Sequence, residues 1–506
     1  MKQKLSYFVH FVIMFLEEPT YRSFGGGSDS SNRCEEMPTR DHSKSEGVLA
    51  SLHRNIVGQF ARFVSPFGSK PIVYADWTAS GRALKDIERY LQDNVMSFYG
   101  NTHTSASITG HQSSCYRNES RQIIAESVNA RITGKAAEDV VLFVGNGCTA
   151  AVSKIVSIFD LNIPVQNNEE DCRPVVFVSC YEHHSNLLPW RESVADVVVV
   201  AYDVTTGVDL VDLERLLVKY SNRRLKIGTF SAASNVTGLC TDVVEVSVLL
   251  HKHGALAFFD YATAAPYVKV DMNPVLADHP HRSLAYKDAV FFSGHKFLGG
   301  PGSPGVLVIK KRWLPQSHER PSSCIGGGTV FYVTEEHHRY LSNREEREEG
   351  GTADLLSDVK MGLAVQVKQQ LGAAWIEDEE LRISAYVQSR LEQHQSVVLL
   401  GRCSDSISSA TYLSRTKHLP IFSLLLRYRD RFLHFHFVTA LLNDLFGVQS
   451  RGGCVCAGPF AQLLLGIRTD TNREIEKLLL EKHEVYRPGE SSSLRRFDID
   501  VGSFSE

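Results

Sequence analysis

No run in this chain reaches the roughly 20 consecutive apolar residues that a membrane helix needs, so no stable membrane insertion is expected. The mostly apolar stretch Leu5 to Leu16 follows Lys2 and Lys4, which loosely resembles a signal peptide. Glu17, Glu18 and Pro19 come next, without a small-residue cleavage pattern, so the stretch reads as a short buried or disordered extension. Strongly basic segments are missing and the net charge is -4, which argues against a nucleic-acid partner. The ten cysteines are scattered. They make neither a disulfide framework nor a zinc module, and they favour a reducing compartment, in the first instance the cytoplasm. No internal repeat is present.

What the chain does have is an ordinary globular balance, 43% apolar and 22% charged. Residues 1–46 form a leader, since from Gly25 to Glu46 glycine, serine and charge leave too little apolar surface to offset ordering. Short continuous apolar runs then recur: Val140–Val144, Val175–Ser179, Val197–Tyr202, Lys226–Phe230, Leu256–Asp260, Ala289–Ser293 and Val306–Ile309. Runs without alternation predict strands covered on both faces. Helical patterns at Val211–Tyr220 and Val243–His253, the second closed by Gly254, lie between them. The expected fold class is α/β, a large domain over 47–361 with a mostly parallel sheet. A smaller α+β domain is expected over 362–485, with helices at Leu381–His394 and Phe437–Phe446 and strands at Pro420–Tyr428 and Val448–Arg451; an irregular tail, 486–506, follows. The charge run Glu345–Glu349 reads as a solvated face.

Several strand ends carry chemistry-bearing residues. Ser293-Gly294-His295-Lys296 follows an apolar run and precedes the Gly-rich 299–305. A Lys there can be buried and supply a neutral amine, although a lone Lys after a strand is usually a solvated surface residue. Asp260 closes another run, where a carboxylate needs a partner or serves as a helix N-cap. Gly147-Cys148-Thr149 opens a helical pattern, a phosphate-binding arrangement or simply a capped turn. Glu182-His183-His184-Ser185-Asn186 offers imidazoles without a third ligand at helical spacing, so stacking on a flat group is the alternative to a metal.

Taken in order with Ser234-Asn235-Val236-Thr237-Gly238, these segments resemble the class V, fold-type I, pyridoxal-phosphate family of cysteine desulfurases, selenocysteine lyases and related aminotransferases. The resemblance runs from about Tyr74 to Pro459. It implies that Lys296 holds pyridoxal 5′-phosphate as a Schiff base and moves the substrate's Cα proton. It also implies that Asp260 pairs with the pyridinium nitrogen and that His183 stacks on the ring. Cys148, Thr149, Ser293 and His295 would hold the phosphate, and Asn235 would sit near the cofactor phenolate and the substrate carboxylate. Thr352, in Glu349-Gly350-Gly351-Thr352, matches a residue reaching the neighbouring subunit's phosphate, which implies a homodimer with shared sites. Ala75-Asp76-Trp77-Thr78-Ala79 looks like the segment lining the substrate entrance, with Thr78 and Ala79 as substrate contacts.

Arg451-Gly452-Gly453-Cys454-Val455-Cys456-Ala457-Gly458-Pro459 is similar to the desulfurase loop. On that resemblance Arg451 meets the substrate and Cys456 is the nucleophile that takes sulfur from cysteine, releasing alanine and serving a sulfur-acceptor protein. A free Cys is often an inert small hydrophobe, and Cys454 makes the pair either a redox couple or simple packing. Two departures stand out. Thr263 occupies the position of a family Gln, and Arg495 and Arg496 sit in no motif matching the family's carboxylate-binding Arg. Another aminotransferase, lyase or epimerase of the same fold, and a non-catalytic cofactor-binding scaffold, stand beside the desulfurase reading.

Overall fold

The computed structural model describes residues 51–104, 106–163, 173–277, 280–317, 323–402 and 417–483. The leader, Leu5–Leu16 within it, the tail, Arg495 and Arg496 lie outside the described residues. The continuous apolar runs form one seven-stranded sheet. In chain order its elements are β1 (Asp139–Val144), α1 (Gly147–Ile158), β2 (Val175–Ser179), β3 (Asp196–Val200), α2 (Leu210–Lys219), β4 (Lys226–Ser231), α3 (Val243–Lys252), β5 (Leu256–Asp260), β6 (Ala289–Ser293) and β7 (Gly305–Lys310). The spatial order is β1-β7-β6-β5-β4-β2-β3. All neighbours pair in parallel except β7, which runs antiparallel to both β6 and β1.

Burial on both faces explains the absence of alternation. Along β6, Val290 and Phe292 enter one apolar core, and Ala289 and Phe291 enter the other. Strand β5 divides in the same way, Ala257 and Phe259 against Leu256 and Phe258. Helix α1 covers one face through Ala151, Val152 and Ile155. Helices α2 and α3 cover the other through Leu213, Leu217, Val246 and Leu250. Asp209 and Asp242 cap α2 and α3, each accepting two backbone N–H bonds, which fixes where these helices start. The Asn146 side chain does not cap α1; the Gly147 N–H bonds Gly145 O and the Cys148 N–H bonds Ser293 Oγ at the end of β6.

Beyond β7 come the helices Leu355–Leu371 and Ala373–Leu391, then an antiparallel sheet of Val397–Leu399, Leu424–Tyr428 and Arg431–Phe432. The second helix starts earlier than the sequence pattern implied, at Ala373 directly after Gly372. The expected helix at 437–446 begins at Phe435 and widens into a π turn over Leu442–Phe446, ending at Gly447 in the left-handed region. Val448–Gln449 then pairs in parallel with Val73–Tyr74. This short pairing brings the 75–79 segment beside Arg451.

The run Glu345–Glu349 is not a solvated face throughout, contrary to the sequence reading. Glu348 and Glu349 are buried because three cations reach them: Lys154 pairs with Glu348, and Arg117 and Arg121 with Glu349. Glu349 also accepts from the Phe143 backbone at 2.8 Å, tying the Gly350-Gly351-Thr352 segment to β1. Neighbouring guanidiniums hold its carboxyl below the usual range even though burial acts the other way. Removing one partner of such a pair leaves a charge under-compensated. Arg121→Ala is therefore expected to lower unfolding stability by roughly 3 kcal/mol in urea titration, whereas Arg131→Ala, whose pair with Glu138 is exposed, should change it by less than about 1 kcal/mol.

Candidate active site

Strands β1, β2, β4, β5 and β6 point their carboxyl ends the same way, as ligand-binding open sheets do. The loops that leave them wall a cavity of about 750 Å³. Cys148, Thr149, His183, Asn235, Asp260, Ser293, His295, Lys296 and Arg451 all line it, with Thr78 and Ala79 from the entrance segment. Thr263 is buried outside this lining, and Thr352 is exposed, its hydroxyl 3.4 Å from Asn101. Cys456 is exposed beside the cavity rather than in its wall.

Two close approaches shape the floor. Gly147 opens α1 with φ +63°, and a Cβ there would lie 2.5 Å from Ser293 Oγ; a larger residue would be both strained and blocked. The Cys148 N–H consequently reaches Ser293 Oγ at 3.0 Å, joining the helix start to the end of β6. At Gly81 a Cβ would lie 2.1 Å from Phe297 O. Its N–H donates to His295 O at 2.9 Å, and Ser80 Oγ to the same oxygen at 3.2 Å. The entrance segment is thus laid directly on the loop of Lys296.

The buried charges are poorly compensated by the protein itself. Asp260 Oδ1 accepts from the Ala262 N–H at 2.7 Å and from the Cys148 thiol at 3.4 Å, while Oδ2 has no hydrogen-bond partner among the described residues. Burial raises the Asp260 pKa, against the pull of Lys296. Burial and Asp260 together push the Cys148 thiol well up, so it stays protonated and donates. No hydrogen bond or ion pair engages the Lys296 amine among the described residues, and burial lowers its pKa. Asp260 therefore acts as neither the helix cap nor the partner of a protein cation: its backbone bond is a local turn to Ala262.

The five residues after β2 divide their tasks. Glu182 is buried and accepts from Ser179, Asn186 and both the N–H and hydroxyl of Ser231, binding the loop to β4. His183 Nδ1 accepts from the Ser185 N–H at 3.1 Å, and Ser185 meets the Thr149 hydroxyl at 2.7 Å. His184 holds the distant Cys loop. Its N–H donates to Cys456 O at 2.8 Å, and its Nε2 accepts from the Gly458 N–H at 3.1 Å. Asn235 Nδ2 adds a bond to Val455 O at 2.8 Å. Sequence reasoning missed His184, whose signal lies only in pairing with residues some 270 positions away. Arg451 binds Asp76 Oδ2 through Nε and Nη2 at 3.2 and 3.1 Å, and its charge reaches both Lys296 and His183.

Burial, then Lys296, His184 and Arg451, lower the His183 pKa to about 4. The unfolded chain takes up this proton near the ordinary value of 6.5, whereas the folded chain does so only near 4, so folding loses stability as pH falls through that window. Imidazole NMR of the ligand-free protein should show His183 neutral at pH 6. Stability should also fall more steeply between pH 6.5 and 4 in the wild type than in His183→Asn.

The family model for aminotransferase class-V matches residues 73–464. A probable cysteine desulfurase of Halalkalibacterium halodurans is 24% identical over 401 residues, covering 78% of this chain and 86% of that protein. One from Pyrococcus abyssi is 24% identical over 65% of this chain and 78% of its own. Among solved structures, the cysteine desulfurase of Thermococcus onnurineus matches 86% of this chain and 97% of its own with a TM-score of 0.64 at 20% identity. The cysteine desulfurase CsdA of Escherichia coli matches 77% and 86% with a TM-score of 0.57 at 21% identity. These structural likenesses carry the fold, and the family match spans the sheet, its strand-end residues and the Cys loop: the chain belongs to the class V aminotransferase family.

Proposed function

We propose that this chain binds pyridoxal 5′-phosphate at Lys296 and removes sulfur from L-cysteine, releasing alanine and leaving a persulfide on Cys456. The observation that carries the reading is a pair in one cavity whose hydrogen bonding the protein leaves incomplete, a half-buried lysine whose amine has no hydrogen-bond partner among the described residues and a buried carboxylate with a free oxygen. A protonated ring nitrogen would supply the charge that Asp260 lacks, and an aldehyde would take the amine. The α1 terminus, which Asn146 leaves without a side-chain cap and which has Ser293, Thr149 and His295 around it, is suited to a phosphate. The residues present therefore fit the cofactor.

When bound, pyridoxal phosphate supplies a carbonyl for amine exchange and a ring that accepts the electron pair of the substrate's Cα–H bond. The rest falls to the chain. Lys296, its pKa lowered by burial, is available as the neutral amine that attacks and later accepts or returns a proton. Neutral His183 offers a flat face without adding a positive charge. Asp260, kept in place by Ala262 and Cys148, would supply the negative charge that pairs with a protonated ring nitrogen. Arg451, with Nη1 not engaged by Asp76, can bind the substrate carboxylate and align its Cα bond. Cys456, on the turn held by His184 and Asn235, attacks the substrate sulfur as a thiolate.

The exposed position of Thr352 supports a homodimer in which it completes the partner's phosphate site, and the exposed Cys456 supports delivery of sulfur to an acceptor protein. Among the described residues no helix is long and apolar enough to cross a membrane. The test is to incubate the purified, cofactor-loaded protein with L-cysteine and assay alanine and sulfide. Lys296→Ala should lose the visible absorption of lysine-bound cofactor together with all alanine formation. Cys456→Ala should keep that absorption and lose more than about 95% of sulfide release, a loss of the nucleophile rather than of binding. Alanine and sulfide formed at the wild-type rate by Cys456→Ala would refute the persulfide role.

A further inference from the structure

The Cys loop carries a second thiol that the reaction above does not use. Residues Cys454-Val455-Cys456-Ala457 form a tight turn closed by the Ala457 N–H on Cys454 O at 2.9 Å. Its two central residues, Val455 and Cys456, have φ +43° and +60°, the signs of a type I′ turn. Cys454 and Cys456 thus occupy the first and third positions of one turn, and both are exposed. The residue between them faces inward: Val455 lines the cavity, and its carbonyl is tied to Asn235. Cys456 is bonded through its carbonyl to the His184 N–H. On the other flank Gly452 and Gly453 pack against the ring of Phe435, which is 40% exposed. Two exposed thiols therefore share one fixed turn, Cys456 held through its carbonyl by His184 and Cys454 next to Gly453.

We propose that Cys454 is a sulfur carrier that takes the sulfane sulfur from Cys456 and presents it to a thiol acceptor. This rests on the desulfurase reading of the site. The Cys454 thiolate attacks the outer sulfur of the Cys456 persulfide. A new S–S bond forms on Cys454, the bond between the outer sulfur and Cys456 Sγ breaks, and its electron pair leaves with Cys456 as a thiolate. One persulfide and one thiolate become one persulfide and one thiolate, so no oxidant or reductant is consumed. The outer sulfur extends about 2.05 Å beyond Cys456 Sγ, so the transfer does not require the two Sγ atoms to approach to bonding distance, as an i,i+2 disulfide would. The pinned turn keeps the donor and the carrier together while Cys456 is returned to the cavity side for the next substrate.

The experiment uses the cofactor-loaded protein. After a single turnover with L-cysteine, alkylation and peptide mass mapping locate the sulfane sulfur, and sulfide release is timed with 2-mercaptoethanol as acceptor. In the wild type the label should appear on Cys456 first and move to Cys454. Cys454→Ser should give one burst of alanine, keep the label on Cys456, and release sulfide about tenfold more slowly in the steady state. Retained visible absorption and circular dichroism would show that the variant is folded and loaded. Alanine formation with Cys454 never labelled, and a wild-type sulfide rate in Cys454→Ser, overturns the carrier and leaves the desulfurase reading standing. A wild-type protein that forms no alanine from L-cysteine overturns both.

Discussion

The site depends on one constraint: a sheet covered on both faces has no room for charge except at its strand ends. Leu, Ala, Val and Phe fill β5 and β6 on both sides, so the first polar positions, Asp260 and the Ser293-to-Lys296 turn, come where the strands leave the core. Register then sets their spacing. Asp260 lies opposite Phe291 on β6, and Ser293 lies opposite Gly305 on β7, which pairs in turn with Val144 of β1. The same scaffold that removes water from the strands removes it from the lysine and the carboxylate. An unpaired buried charge costs several kcal/mol, and that cost is what a complementary ligand can recover.

The antiparallel strand β7 has a specific consequence. It lies between β1 and β6, so the α1 start is set beside Ser293 across the width of one strand. Gly305 passes so close to Gly147 that a Cβ on it would lie 2.5 Å from Gly147 O. The Gly-rich loop 299–305 thus serves to turn the chain back into β7 and to let the helix terminus settle against the end of β6.

Much of this was legible because it depends on local composition. Continuous apolar runs read as strands buried on both faces, and the polar residues closing or following some of them, Asp260, Ser293 and Lys296, read as site candidates. Strand direction was not legible: Val306–Ile309 looks like any other run, and nothing in its periodicity says that it is antiparallel. Nor were contacts made across the chain. The Cys148–Asp260 bond joins residues 112 positions apart, and His184 looks like the redundant member of a His pair until Gly458 and Cys456 arrive beside it. Glu348 and Glu349 misled for the same reason, because a run of acids carries no information about the arginines and lysine that fold onto it.

The Cys loop shows how much the distant contacts must supply. A β-branched residue at positive φ is a genuine outlier, and Val455 and Cys456 together store about 2–6 kcal/mol of backbone strain. The neighbouring glycines could have absorbed it, yet Gly452 and Gly453 lie three positions too early to occupy the centre of the turn. Each backbone or amide bond to the loop contributes about 1 kcal/mol; those from His184, Asn235 and Gly458 together are of the same order as the strain. The turn is therefore held by the site rather than by its own sequence. A loop that only filled space would relax to negative φ once His184 or Asn235 was removed, at no cost to anything else. Here relaxation would move Cys456 away from the strand-end cavity, so the strain persists because Asn235, in the cavity wall, and His184 hold the loop beside it.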